Sequence, residues 1–350
     1  MKKVSVLIVD DSAFMRRILS DILKKDHRIE VVGTARNGKD CLEKIHTLNP
    51  DVITLDIEMP VMDGLEALSI IMENHPRPVV MVSSLTKEGA ESTVKAVSLG
   101  AVDFIQKPSG SISLDMKTVE QDVVRKVLVA GEANVNVHKG KPVGEKVSVP
   151  DGVRNQGNLV AIGTSTGGPR ALQQVLTTLP GNLPAPIVIV QHMPEGFTKS
   201  LSERLNRLSE ITIKEGEHME ELQNGIAYIA PGGSHMQVIQ GEGGLFIHLD
   251  KTAPINGHRP SVNRLLQSLS HLNNVSITSV IMTGMGADGL EGLIELKHRM
   301  VQTYSIAESK ESCVVYGMPK AVVKSGLADK VLELEQISQS IVQSLHIRRR

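Results

Sequence analysis

Leu159-Val160-Ala161-Ile162-Gly163-Thr164-Ser165-Thr166-Gly167-Gly168-Pro169 reads as an apolar strand that ends in a glycine-flanked serine and opens into a helix. Gly163 and Gly167 bracket Ser165 as G-x-S-x-G, the spacing of a nucleophile elbow, in which a tight strand-to-helix turn projects the serine beside free backbone N–H groups. A glycine-rich phosphate loop is the competing reading. It fits neither G-x-G-x-x-G nor a loop closing in Gly-Lys-Ser/Thr. The next strand also ends in Gln191-His192, with no ribose-binding acid. Ser165 is therefore the candidate nucleophile of an α/β unit.

Similar strand–helix units extend to both sides. Upstream, Val4–Val9, Ile29–Gly33, Val52–Leu55, Val79–Val82 and Ala101–Ile105 read as five strands, with amphipathic helical segments such as Ala13–Lys25 and Lys39–Leu48 between them. Alternation of this kind predicts a parallel sheet wound on both faces, with its working edge at the strand C-termini. Downstream, strand-like runs recur at Leu159–Ile162, Pro186–Val190, Ile211–Lys214, Ala227–Ala230, Leu245–Leu249, Val275–Met282 and Met300–Tyr304. The glycine turns between Gly225 and Asp250 predict an antiparallel excursion there, and so a mixed sheet. Between the two series, Gly131 to Asn158 has no sustained period and reads as a mobile linker. The expected division is 1–128, 129–158 and 159–347, two α/β domains about a tether.

The 350-residue length suits two cores. Lys and Arg number 38 against 39 Asp and Glu, for a net charge of -1, and aromatics are 2% with no Trp. Neither a field that attracts nucleic acid or anionic lipid nor a base-stacking platform is expected. Arg348-Arg349-Arg350 reads as a solvated tail. Cys41 and Cys313 are the two cysteines, too few and too far apart for a disulfide framework or zinc site, which suits a reducing cytoplasm. No leader is read at Met1-Lys2-Lys3, and no run approaches the roughly 20 apolar residues of a membrane span.

In the first domain, Asp10 and Asp11 follow the first strand and Asp56 ends the third, so a doubly wound sheet gathers three carboxylates at one edge. Such a cluster needs a cation. Mg²⁺ takes hard oxygen ligands, and one or two carboxylates with phosphoryl oxygens complete a site where Asp56 can accept a phosphoryl group. Ser83 and Lys107, at the ends of the fourth and fifth strands, add a hydroxyl and an ammonium for the phosphoryl oxygens. Taken singly, Ser12 suits a helix cap and Lys107-Pro108 a strand exit; convergence is what argues for a site.

In the second domain a serine needs a base, and the base an orienting acid. His192 ends the strand next to the one presenting Ser165; His235 and His258, on loops, are its rivals and could line a substrate cleft. The strand Val280-Ile281-Met282 runs into Thr283-Gly284-Met285-Gly286-Ala287-Asp288-Gly289, which brings Asp288 to the same edge. Its other reading is a helix N-cap. Backbone N–H groups of Thr166 and of the Gly284–Gly286 turn, Met285 among them, are the candidate oxyanion donors, and the Thr166 hydroxyl is a further one. The order Ser165, His192, Asp288 differs from that of α/β-hydrolases.

Two resemblances follow from these residues. Val9-Asp10-Asp11-Ser12, Leu55-Asp56 through Asp63-Gly64, Met81-Val82-Ser83-Ser84 and Lys107-Pro108 resemble the flavodoxin-like receiver domain of two-component response regulators, over residues 1 to about 125. This implies phosphorylation of Asp56 by a histidine kinase and Mg²⁺ held by Asp10, Asp11, Asp56 and the Glu58 carbonyl. It also implies coupling through Ser83 and Phe104, the latter at the family's aromatic switch position or simply a core aromatic. Gly163 to Pro169, Gln191 to Phe197, Ala230 to Met236, His258 to Asn263 and Thr283 to Gly289 resemble the Rossmann-like catalytic domain of chemotaxis protein-glutamate methylesterases, from about Leu159 to Leu345. The implied substrate is a γ-glutamyl methyl ester on a methyl-accepting chemotaxis receptor, hydrolysed to glutamate and methanol with no cofactor in that domain. Some members of the family also deamidate receptor glutamines. Regulation would then run through the tether, the unphosphorylated receiver covering Ser165 and phosphorylation of Asp56 favouring an open form. A non-catalytic signalling scaffold and an esterase for another signalling protein are the rival readings. A DNA-binding output is disfavoured by the neutral charge and the lack of a helix-turn-helix signal after residue 130.

Overall fold

The computed structural model describes residues 3–84, 86–107, 116–135, 146–148, 157–299 and 302–345. The chain divides into two compact units, Met1–Lys139 and Gly140–Arg350. Most of the segment read as a linker, Pro108 and the three terminal arginines lie outside the described residues.

The first unit is a five-stranded parallel sheet in the order β2-β1-β3-β4-β5, from β1 (Val4–Val9), β2 (Ile29–Ala35), β3 (Val52–Asp56), β4 (Val79–Ser83) and β5 (Asp103–Gln106). That is the flavodoxin-like order, with its switch point between β1 and β3. Helices α1 (Ala13–Lys24), α2 (Gly38–Leu48), α3 (Gly64–Asn74), α4 (Lys87–Ser98) and α5 (Met116–Gly131) alternate with the strands. The strand centres are fully buried, as unbroken apolar runs of a covered parallel sheet require. The first four of these helices open on side-chain caps: Ser12, Asn37, Asp63 and Thr86 each accept from an amide in the first turn. Ser12 is indeed a cap, and the acids before it remain at the sheet edge.

The second unit is built on seven strands in the order β14-β13-β12-β6-β7-β9-β8. They are β6 (Asn158–Thr164), β7 (Ile187–Gln191), β8 (Thr212–Glu215), β9 (Ile226–Ile229), β12 (Ser276–Ile281), β13 (Thr303–Glu308) and β14 (Lys330–Leu332). Every described pairing in this sheet is parallel. The expectation of a mixed sheet is thus corrected. The antiparallel excursion exists as a separate hairpin, β10 (His235–Gly241) with β11 (Gly244–Asp250), turning at Glu242-Gly243. β9, inside the stretch read as antiparallel, joins the parallel sheet through β7 and β8 instead. The short edge strand β14 carried too few apolar residues to be read.

Among the described residues this unit has the helices α6 (Gly168–Leu176), α7 (Phe197–Leu208), α8 (Val262–Leu269), α9 (Leu290–Arg299), α10 (Met318–Lys324) and α11 (Leu334–Ser344). A buried cluster on one side of the sheet joins Leu159, Val188, Tyr228, Leu265, Leu269, Ile277, Leu293 and Met318. Because β6 is flanked by β7 on one side and by the later strand β12 on the other, the strand order reverses there, and the crevice at its C-terminal end is where doubly wound sheets place their ligands.

Candidate functional site

Ser165 sits at that crevice. Gly167 takes φ 77°, a left-handed conformation that suits glycine, and the Gly168 amide donates to the Ser165 carbonyl at 2.8 Å, which closes the elbow before α6. A Cβ at Gly168 would stand 2.0 Å from Gln191 Oε1. That side chain grips the elbow in turn, since Gln191 Nε2 donates to the Ser165 carbonyl at 3.0 Å.

β7 pairs with β6 so that Thr164 faces Gln191, which brings His192 level with Ser165. His192 Nδ1 lies 3.2 Å from Ser165 Oγ and its Nε2 lies 2.8 Å from Asp288 Oδ2. An ionised carboxylate only accepts, so Nε2 carries the proton and the Nδ1 lone pair faces the serine hydroxyl. The two nitrogens serve in the opposite sense to the chymotrypsin-type triad, where Nε2 faces the serine.

Asp288 is held from several directions. Ser261 Oγ and the amides of Asn263 and Gly289 donate to Oδ1 at 2.9, 3.0 and 3.1 Å, and the Val262 amide donates to Oδ2 at 2.7 Å. Burial raises its pKa, but the hydrogen bond and charge of His192 with these amides more than reverse that, and the carboxyl is held below its ordinary range. Two of the amides belong to the first turn of α8, whose dipole also favours an anion. Asp288 thus accepts at the start of α8, whose N-cap is Ser261, while its Oδ2 meets His192 Nε2.

The turn from Thr283 to Asp288 packs on the elbow. The Ser165 amide and the Thr164 hydroxyl both donate to the Thr283 carbonyl, at 3.0 and 2.9 Å, so the Ser165 N–H is committed. Thr283 Oγ1 donates to the Thr166 carbonyl at 3.0 Å. Thr166 is buried and Met285 half-buried in this turn. The Gly317 and Met318 amides donate to the Gly284 carbonyl at 3.1 and 2.8 Å, which ties the turn to the start of α10. At the end of β13 a wholly buried Glu308 accepts from the Thr283 amide at 2.7 Å and from Ser312 Oγ at 3.0 Å. Sequence reading missed Ser261, Gln191, Glu308 and Gly317. The signal for Glu308 was available, as a carboxylate ending an apolar strand beside the one that leads to Asp288.

Of the rival bases, His235 is buried elsewhere, with Nε2 3.1 Å from the Ala253 carbonyl. His258 does reach the site, and its ring lies flat on that of His192 with centroids 3.9 Å apart and planes 8° apart.

In the first unit Asp10, Asp11 and Asp56 offer carboxylate oxygens within 4.8 Å of one another. Lys107 Nζ donates to Asp56 Oδ2 at 2.7 Å and stands 3.8 Å from Asp10 Oδ2. Burial pushes Asp56 up to about 6, against the pull of Lys107 and with added repulsion from Asp10. Burial likewise raises Asp10. Asp10 Oδ2 is buried with no hydrogen-bond partner, as a ligand oxygen for a hard cation would be. Glu58 is exposed, and its amide lowers the Asp56 pKa by hydrogen bonding. Ser83 Oγ turns to α4, donating to the Gly89 carbonyl at 3.1 Å and to that of Ser84 at 3.2 Å. Phe104 is buried, with Lys126 Nζ 4.9 Å from its ring centroid.

Comparison with known proteins places both halves. Residues 6–118 match the response regulator receiver domain, and residues 160–341 match the CheB methylesterase family. The class defined is thus a response regulator whose output is a hydrolase domain. A protein-glutamate methylesterase/protein-glutamine glutaminase of Oceanobacillus iheyensis is 54% identical, with 99% of this chain and 100% of that one covered. A protein of the same name from Geobacillus kaustophilus is 53% identical over 98% of this chain and 99% of its own. The crystal structure of the Thermotoga maritima CheB methylesterase catalytic domain superposes with a TM-score of 0.52 at 46% identity, covering 53% of this chain and 98% of that one. The chain belongs to the CheB methylesterase family. No helix among the described residues is long and apolar enough to cross a membrane.

Proposed function

We propose that this chain is a phosphorylation-activated protein-glutamate methylesterase, with protein-glutamine glutaminase activity, acting on cytoplasmic glutamyl side chains of methyl-accepting chemotaxis receptors. The observation that carries the reading is the continuous hydrogen-bonded line Ser165–His192–Asp288.

Ser165 Oγ attacks the γ-carbonyl carbon while His192 Nδ1 takes its proton, and Asp288 stabilises the imidazolium through Nε2. The oxyanion is met by the backbone amides of Thr166 and Met285. His192 then returns the proton to the leaving oxygen, methanol departs, and an acyl bond joins Ser165 to the γ-carbon. Water, deprotonated by the same nitrogen, hydrolyses that bond to release glutamate. A glutamine amide passes through the same acyl-enzyme with ammonia as leaving group.

In the receiver, Asp56 is the phosphoacceptor and a chemotaxis histidine kinase its donor. Asp10, Asp11, Asp56 and the Glu58 carbonyl would hold Mg²⁺, which supplies positive charge against the phosphoryl oxygens. Lys107 would contact those oxygens, and Ser83 would have to turn from the Gly89 carbonyl to do so, with Phe104 following. Residues 129–158 would be the tether between the two domains.

The test is methanol release from methylated receptor membranes by wild type, Ser165→Ala and Asp56→Ala, each with and without Mg²⁺ and a small phosphodonor. Release that the donor raises in wild type, is absent in Ser165→Ala and ignores the donor in Asp56→Ala supports the reading. Donor stimulation persisting in Asp56→Ala, or release persisting in Ser165→Ala, overturns the corresponding half.

A further inference from the structure

His192 makes its two hydrogen bonds from opposite ring nitrogens, so both lie in the ring plane. Tipping of the ring plane bends both hydrogen bonds out of line, the one to Ser165 Oγ included, and contact with the face of the ring restrains that motion. His258 covers that face, at 3.9 Å between centroids and 8° between planes.

His258 is presented from a hydrogen-bonded turn. Ile255 and His258 exchange both backbone hydrogen bonds, at 3.0 and 2.9 Å, around Asn256 and Gly257, whose φ angles are 51° and 80°. Two positive φ angles at Asn-Gly define a tight type I′ turn, formed here outside the two sheets. The following residue is pinned as well. The Arg259 carbonyl accepts from the Gly233 amide at 3.2 Å, and Arg259 Nη1 donates to the carbonyls of Lys251 and Thr252, both at 3.0 Å. Two residues further on, Ser261, Val262 and Asn263 donate to Asp288. One continuous stretch, 258–263, therefore sets both the face of the base and the charge of the acid.

We propose that His258 is a positioning residue of the hydrolase site, which acts through His192 by stacking on the imidazole that becomes cationic as Ser165 attacks. This rests on the Ser165–His192–Asp288 reading above. A flat aromatic neighbour fixes the tilt of the base in the resting enzyme, and its π face is attractive to the imidazolium formed in the transition state. Both effects act on kcat. A role exerted through His192 rather than on the receptor glutamyl group leaves KM nearly unchanged.

The experiment uses the full chain, activated by a small phosphodonor, with methylated receptor membranes as substrate and methanol as the readout. His258→Ala is expected to lower kcat about ten-fold with KM within two-fold. His258→Phe keeps a flat ring and is expected to recover at least a third of the wild-type kcat. A covalent serine probe, which bypasses receptor recognition, should label Ser165 more slowly in His258→Ala and near the wild-type rate in His258→Phe. An unchanged kcat in His258→Ala, a KM effect that accounts for the whole loss, or a His258→Phe variant as slow as His258→Ala would each overturn the inference. Release of methanol by Ser165→Ala overturns the triad reading, and this inference with it. Loss in Ser165→Ala beside a normal His258→Ala overturns this inference alone.

Discussion

The Thr283 amide donates at 2.7 Å to Glu308, a carboxyl with no solvent exposure, and so ties the turn leading to Asp288 to the end of the neighbouring strand β13. Burial pushes Glu308 from its ordinary 4.5 up to about 7, with the Thr283 and Ser312 hydrogen bonds only partly offsetting it. Between those values the folded state binds more protons than the unfolded chain. The contribution of this group to stability is therefore complete below about pH 4.5 and is lost as pH rises through 7. Glu308→Gln removes the titration. Urea unfolding of the catalytic unit from pH 5 to 8 should show wild type losing a few kcal/mol, in order of magnitude, relative to Glu308→Gln as pH rises. A constant difference across that range would mean that Glu308 ionises as an ordinary carboxyl.

Asp288→Asn nearly preserves shape but offers an amide N–H towards His192 Nε2. That favours the tautomer whose Nδ1 carries the proton, and Ser165 then faces a donor instead of a base. A loss in kcat on the order of 10⁴-fold is expected, with folding retained. Methanol release and the unfolding midpoint, measured on the same preparation, separate a tautomer effect from collapse of the site.

Gly284 stands where the Asp288 turn meets Ser165. A Cβ there would lie 2.8 Å from Ser165 Cβ, 3.1 Å from Ser165 N and 2.5 Å from Met318 Sδ. The methionine end can move aside, whereas the elbow backbone is hydrogen-bonded in place. Gly284→Ala is expected to reduce kcat about 100-fold by displacing Ser165, while phosphorylation of the receiver proceeds at the wild-type rate. Equal activity of Gly284→Ala and wild type would show that the elbow yields.

Val61 takes φ 72° at 80% exposure, a left-handed conformation that a β-branched residue adopts only under strain. Asparagine tolerates that region, and the exposed valine gives up little packing. Val61→Asn should stabilise the receiver by about 1 kcal/mol, read as a higher urea midpoint with an unchanged slope. An unchanged or lower midpoint would show that the strain is relieved in some other way.

Much of this arrangement is legible in the sequence. Apolar runs and glycine punctuation located nearly every strand of both sheets, because buried parallel strands must be continuously apolar. Ser165 and His192 were marked out because each directly follows a strand, and Asp288 because it stands in the turn after one; a parallel sheet gathers such positions at one edge. What escaped reading depends on main-chain detail. β9 was assigned to the antiparallel excursion because glycines flank it, and only its pairing with β7 and β8 shows otherwise. Ser261 and the start of α8 precede Asp288 by more than twenty residues, and nothing in their composition announces that their amides converge on it. His258 was legible as a loop histidine near the cleft, but its stacking on His192 depends on a turn whose orientation sequence does not specify.

Three of the donors around Asp288 are peptide N–H groups, those of Val262, Asn263 and Gly289. Every amino acid except proline carries that group. The electrostatic setting of the acid is thus written into the course of the main chain more than into the residues along it. The amides of Val262 and Asn263 remain donors whatever side chains those positions carry, whereas the third position, Gly289 at φ 98°, is held to glycine by its backbone. That setting is lost by a change at Ser261 or Gly289, or by a shift in the point at which α8 begins.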